Sequence, residues 1–157
     1  MKKTIKGQDC HFVWDPPRPY TNNPTLTVKF TGGDFSGIFV QSRPDVTITA
    51  VANDRRTLTT SGAIGSALER DEVRAYLKTS ADTYYAVKVV RLVTGTALLA
   101  EPLPREIDLS TSATLNFAMS YVDIGSANTG ISGVYPYTIA YDDIVGAKRV
   151  ETGLLKV

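Results

Sequence analysis

The sequence predicts an all-β fold, mainly antiparallel, built as a β-sandwich or β-barrel with at most one short helix near 63–71. Three observations predict it. Apolar residues recur at every second position in short runs, the period of a half-buried strand. Gly, Pro, Asn, Asp and Ser cluster between those runs at fairly regular spacing, as turns between strands do. Long helical repeats do not alternate with the runs, which argues against a parallel α/β sheet. At 157 residues the chain is long enough to bury a core. It reads as a single β domain over 1–157, with an N-terminal arm over about 1–24 and a C-terminal strand or arm over about 148–157.

Taken in order, residues 1–8 are polar and basic. They have no apolar run behind them, so no secretory signal is expected. His11, Phe12, Val13 and Trp14 make a short apolar burst that stops at Asp15-Pro16-Pro17-Arg18-Pro19. Prolines at this density forbid a helix and favour an extended path. The segment 15–24 is therefore a strap across a surface or an arm that lies on a neighbour. Leu26, Val28 and Phe30 alternate with threonines and Lys29, and Thr31-Gly32-Gly33-Asp34 turns the chain back into 35–40. Val46, Ile48 and Ala50 repeat the pattern. Asn53-Asp54-Arg55-Arg56 is a charged turn before Thr57-Leu58-Thr59. The segment 61–71 (SGAIGSALERD) is the helix candidate: Ser61 or Ser66 can cap it, Ala67 to Arg70 favour it, and Gly62 and Gly65 oppose it.

The strongest hydrophobic block is 73–104, read as strand, turn, strand, turn, strand and a proline-locked exit. Its turns are the polar break at 79–82 and Thr94-Gly95. Ile107 and Leu109 follow, then a Ser/Thr turn at 110–112. Leu115, Phe117, Met119 and Tyr121 read as one strand. The Gly- and Ser-rich loop 125–133 is long enough to be mobile in the isolated protein. Tyr135, Tyr137, Ile139 and Tyr141 then share one strand face.

No pattern carries catalytic chemistry. Cys10 and His11 are the sole thiol and imidazole, and neighbours on a strand point to opposite faces, so they make a poor nucleophile pair. The expected arrangement is a buried thiol beside a partly exposed imidazole. A Ser-His-Asp triad would have to use His11, without a G-x-S-x-G elbow. Gly32 to Gly37 is a hairpin turn and not a phosphate loop, and Asp34 alone is a poor calcium ligand set. The carboxylates of Glu101, Glu106, Asp123, Asp142 and Asp143 read as turn and solubility residues. Neither a cofactor nor a metal is expected. Seventeen basic against sixteen acidic residues leave a net charge of +1, which gives no bulk attraction to nucleic acid or an anionic membrane.

Candidate contact residues are Pro16, Pro17, Arg18, Pro19, Tyr20, Pro102, Pro104 and the three tyrosines Tyr135, Tyr137 and Tyr141. Tyrosine suits protein interfaces and also sugar or base stacking. Arg55, Arg56, Lys88 and Arg91 are the candidate DNA-facing cations.

Several phrases taken as a set carry a resemblance: Asp15 to Pro19 (DPPRP), Asp45 to Val51 (DVTITAV), Asn53 to Thr59 (NDRRTLT) and Thr96 to Arg105 (TALLAEPLPR). With them the chain resembles small β-rich virion proteins of tailed bacteriophages, of the head–tail connector or neck type. The resemblance covers the first two-thirds and not the part from Leu115 onward. It implies a homo-oligomeric ring that joins portal to tail and lets DNA pass, without catalytic residues. The implied partners are copies of itself, neighbouring virion proteins (portal, other neck or tail proteins) and DNA in transient non-specific contact. No membrane is expected, and the implied location is the virion, after assembly in the host cytoplasm. A capsid decoration or tail protein is the nearest alternative. A carbohydrate-binding or adhesion β-sandwich with a tyrosine platform is the alternative of another class, and a hydrolase using scattered carboxylates ranks last.

Overall fold

A computed structural model describes residues 1–79, 83–109 and 113–157. The expected turns at 80–82 and 110–112 lie outside the described residues. The fold is all-β, with strands β1 (Lys2–Lys3), β2 (Cys10–Trp14), β3 (Thr25–Phe30), β4 (Gly33–Ile38), β5 (Val40–Gln41), β6 (Val46–Val51), β7 (Thr57–Ser61), β8 (Val73–Lys78), β9 (Tyr84–Val93), β10 (Thr96–Leu99), β11 (Ala113–Asn116), β12 (Ser120–Ile124), β13 (Val134–Asp142) and β14 (Lys148–Lys156). They form two compact units: Met1–Gln41 with Met119–Val157, and Ser42–Ala118 inserted between those halves.

The first unit is a sandwich. A five-stranded sheet runs β1-β14-β13-β3-β4 and a three-stranded sheet runs β2-β12-β5. All pairings are antiparallel except the two-residue β1 on the end of β14. Alternation sorts the side chains. Tyr135, Ile139 and Tyr141 of β13, Leu26 and Val28 of β3, and Leu155 of β14 point inward, where they meet Phe12, Trp14, Val122 and Ile124. The core is aromatic. Trp14 lies 5.0 Å from Tyr141 and 5.1 Å from Phe39, and Phe12 meets Tyr137 edge-on at 5.0 Å. Gly153 is required here, because a Cβ on it would come within 2.3 Å of the Tyr137 hydroxyl, whose ring crosses the strand at that point.

The second unit is a closed six-stranded antiparallel barrel, β10-β7-β6-β11-β8-β9. It contains the block 73–104 as the expected meander. Closure pairs every strand on both sides, so no edge remains. The interior is small and takes aliphatic side chains: Val46, Leu58, Leu77, Leu92, Ala97 and Leu115 are buried there, with Phe117 as its one aromatic. Each fully buried large aliphatic side chain contributes roughly 1.5–3 kcal/mol.

Four expectations are corrected. The segment 61–71 is not a helix. Gly62 and Gly65 sit at φ +99° and +72°, Arg43 donates to the carbonyls of Ile64 and Ser66, and Leu68 bridges Leu92 by two backbone bonds of 2.9 and 2.7 Å. Leu68, one of the helix-favouring residues, is a barrel contact. Residues 115–121 are not one strand. Phe117 and Ala118 are both buried, so alternation fails there, and the chain passes from the barrel strand β11 to the sandwich strand β12. The loop 125–133 is anchored: Thr129 is fully buried, its hydroxyl donates to the Gln8 carbonyl at 2.7 Å, and its carbonyl accepts from Gly7 N. Residues 10–14, expected within an arm, form the buried strand β2. Residues 148–156 pair along the whole of β13.

Candidate functional site

The barrel carries the larger described cavity, an open groove of about 580 Å³ at the exit of β10. It is built by the turn 52–57. The Asp54 carboxylate accepts from Arg56 N and Thr57 N, each at 2.9 Å, and from the Thr57 hydroxyl at 2.8 Å. Those bonds, the Thr57 amide foremost, hold the Asp54 carboxyl below its ordinary range. The turn sets Arg55 at φ +56°, the left-handed region. From there its guanidinium donates to the carbonyls of Leu103, Pro104 and Ile107 at 3.0, 2.8 and 3.0 Å. Arg56 Nε donates to Leu99 O at 3.1 Å. Two arginines thus fasten 99–107 across the barrel end. Leu103 and Ile107 become the groove floor with Val87, and Pro102 and Pro104 stand exposed at its rim. Glu72, Arg74, Tyr85, Lys88 and Glu101 complete the lining. Lys88 lies 3.9 Å from Glu72, an exposed pair that water screens.

The predicted residues separate accordingly. Pro102, Pro104 and Lys88 come together at this groove. Arg91 is an exposed cation on the same strand as Lys88. Arg55, expected to face DNA, instead gives its guanidinium to three backbone carbonyls, and Arg56 gives its Nε to one. Arg74, Tyr85 and Glu72 were not foreseen, because nothing in their local patterns marks a groove assembled from chain segments this far apart.

In the sandwich, the strap 15–24 lies on its own unit. Pro16 and Pro19 are buried and Pro17 is exposed. Tyr20 stacks on Trp14 at 5.7 Å, shares a 2.5 Å hydrogen bond with the Ser120 hydroxyl and bridges Asp143. Arg18 reaches to 3.8 Å from the Asp143 carboxylate. That carboxylate is buried, which raises its pKa. Its hydrogen bonds from Arg149 Nε at 3.0 Å and the amides of Ala147 and Val145 outweigh the burial and hold it low. Asp143, expected as a solubility residue, is the hub that fastens strap to turn.

The tyrosines are a further correction. Tyr135 and Tyr141 are 6% exposed and Tyr137 is half-buried against Phe12, so no stacking platform stands on the surface. Burial first, and the Glu151 charge second, push the Tyr137 and Tyr141 hydroxyls above their usual pKa. Glu151 accepts from Trp14 Nε1 at 2.9 Å and from the Tyr141 hydroxyl at 3.4 Å.

Cys10 is buried beside an exposed His11, as expected. His11 Nδ1 is 2.7 Å from Asp123 on the paired strand, both side chains more than half exposed. Among the described residues no group of three His, Cys, Asp or Glu side chains is placed to hold a metal ion. No family model, curated protein or solved structure matches the chain.

Proposed function

We propose that the chain is a structural subunit of a tailed-bacteriophage particle, a head–tail connector or neck protein whose copies form a ring between portal and tail. The observation that carries this reading is the groove at the barrel exit. It is apolar in its floor, stiffened at its rim by two exposed prolines and locked by Arg55 rather than left to move. A ring requires two different patches that fit each other, since its interfaces are heterologous. The groove supplies one of them. Exposed apolar side chains on sandwich loops, Ile131 and Val145, supply candidates for the other. The phrase resemblance over the first two-thirds of the chain is the support for a phage particle and for the neck as the place in it. Lys88 and Arg91 are the cations left to touch DNA passing through such a ring.

Mass measurement and negative-stain electron microscopy of the purified protein and of particles test the proposal. A closed ring, weakened by Leu103→Asp or Pro102→Asp at the groove, is the expected result. A stable monomer that is found in no particle would refute it.

A further inference from the structure

The outer face of the five-stranded sheet departs from the usual apolar-in, polar-out division of an antiparallel sheet. The register defines its rows. Val150, Ala140, Thr25 and Ile38 lie side by side across β14, β13, β3 and β4. Thr152, Thr138, Thr27 and Ser36 form the next row. Leu154 and Pro136 lead the third, which ends in Lys29 and Asp34. Val150 is 66% exposed, Ile38 55%, Val134 50% and Leu154 44%. Single exposed apolar residues are ordinary, but here they share one continuous face. Charge is confined to its margins: Lys148, 3.5 Å from Asp142 of β13, and Lys156, beside Lys3 of β1, at the two ends of β14, and Lys29 with Asp34 at the β4 corner.

We propose that this face stacks on the same face of a second copy of the chain, about a two-fold axis that runs along the strands between β13 and β3. The pattern is self-complementary in that arrangement. A rotation about this axis lays β14 over the second copy's β4 and keeps each row at its own level. Val150 then meets the second copy's Ile38, and Thr152 meets Ser36. Leu154 and Lys156 come to the second copy's Asp34, where the ammonium reaches the carboxylate. Every contact occurs twice. The other face-to-face two-fold, across the strands, lays β14 on β14 with its ends reversed. It sets Asp34 over the second copy's Ile38 with no cation opposite, and Lys156 over a Lys148 that Asp142 already holds at 3.5 Å. The margin charges therefore choose the axis, while the apolar rows supply the attraction. Stacked sheets lie about 10 Å apart with strands aligned to within about 30°. The face is small beside a standard interface, so the expected dimer is reversible and dependent on concentration. It is independent of the ring contact proposed above, which uses the barrel groove.

Sedimentation velocity of the full chain, from micromolar to near-millimolar concentration, tests this. The expected result is a monomer–dimer equilibrium. Ile38→Lys and Val150→Lys replace exposed side chains and should leave the circular dichroism unchanged while weakening dimerisation at least about tenfold. Asp34→Lys and Lys156→Glu should each weaken it several-fold, and the double swap should restore it to within about twofold of wild type. A chain that stays monomeric throughout overturns the proposal. So does association that ignores both lysine variants, or a double swap weaker than either single change. Loss of the groove-dependent ring with the dimer intact would count against the proposed function and not against this face.

Discussion

The sandwich and the barrel fill a β core in two different ways. The barrel closes on itself, so its strands satisfy each other all round and leave a narrow interior. Leu, Val, Ile, Ala and one Phe fill that space with no charged group, the Thr60 hydroxyl being the polar atom buried on the inward face of β7, and the charged fastenings, Asp54, Arg55 and Arg56, sit outside at one end. The sandwich is two open sheets with a wider gap between them, and rings fill that gap. Trp and Tyr bring an N–H or O–H inside with them, and each must find a partner. Glu151 therefore serves Trp14 and Tyr141 from within the sheet, and Asp143 gathers Arg18, Arg149 and two amides. The choice between closed and open sheet thus decides whether charge enters the interior.

Variants can break that comparison. Phe12→Ala removes a ring that touches both sheets of the sandwich and should cost about 3–5 kcal/mol. Trp14 is the chain's sole tryptophan, so its emission reports on the sandwich, and chemical denaturation followed by that emission should show the loss. Leu92→Ala opens the barrel interior and should cost about 2–5 kcal/mol. It should lower the midpoint seen by far-ultraviolet circular dichroism more than the midpoint seen by Trp14. Equal shifts would mean that the two units unfold as one. Gly153→Ala drives a methyl into the Tyr137 ring and should cost about 1–3 kcal/mol, read from the same emission. Arg55→Ala removes three charge-assisted bonds from a half-exposed site. It should cost roughly 1–3 kcal/mol and speed hydrogen exchange at the Leu103 and Ile107 amides, with little change in β9.

Asp54→Asn should have the smallest effect. The folded carboxyl is held below the ordinary aspartate value, so the unfolded chain binds the proton more readily. Its contribution is present above that value and is lost as pH falls through the lower folded value. An acid titration of barrel stability should therefore be slightly flatter below about pH 4 in the Asn variant.

Most strands were legible in the sequence because alternation is a local signal, and each run from 25–30 to 134–141 carried it. What escaped was non-local. The strand read over 115–121 fails at Phe117 and Ala118 because consecutive residues are both buried there, as the chain leaves β11 for β12. Tyrosine on one strand face looks the same whether that face is covered or bare, so only the opposing Phe12 and Trp14 decide the matter. Arg55 and Arg56 look like surface cations because their acceptors are backbone carbonyls some fifty positions away. Of the groove, the prolines were visible as a stiff exit and Lys88 as a cation. The floor was not visible, because Val87 and Ile107 belong to one surface only after the barrel closes.

Strands β5 and β12 belong to the sandwich, and they pair with each other, Gln41 beside Ser120 and Val40 beside Tyr121. They are also the last strand before the barrel and the first one after it. The whole inserted unit thus leaves and rejoins its host through neighbouring rungs of one ladder. For assembly of the native chain, a barrel with its ends drawn together turns a long excursion into a short hairpin, and the entropy of closing that excursion is met by the barrel's own folding. For descent, the same arrangement makes the barrel a cassette: its ends present a gap that a two-residue turn or another domain with adjacent termini can span, while the ladder on either side keeps its register.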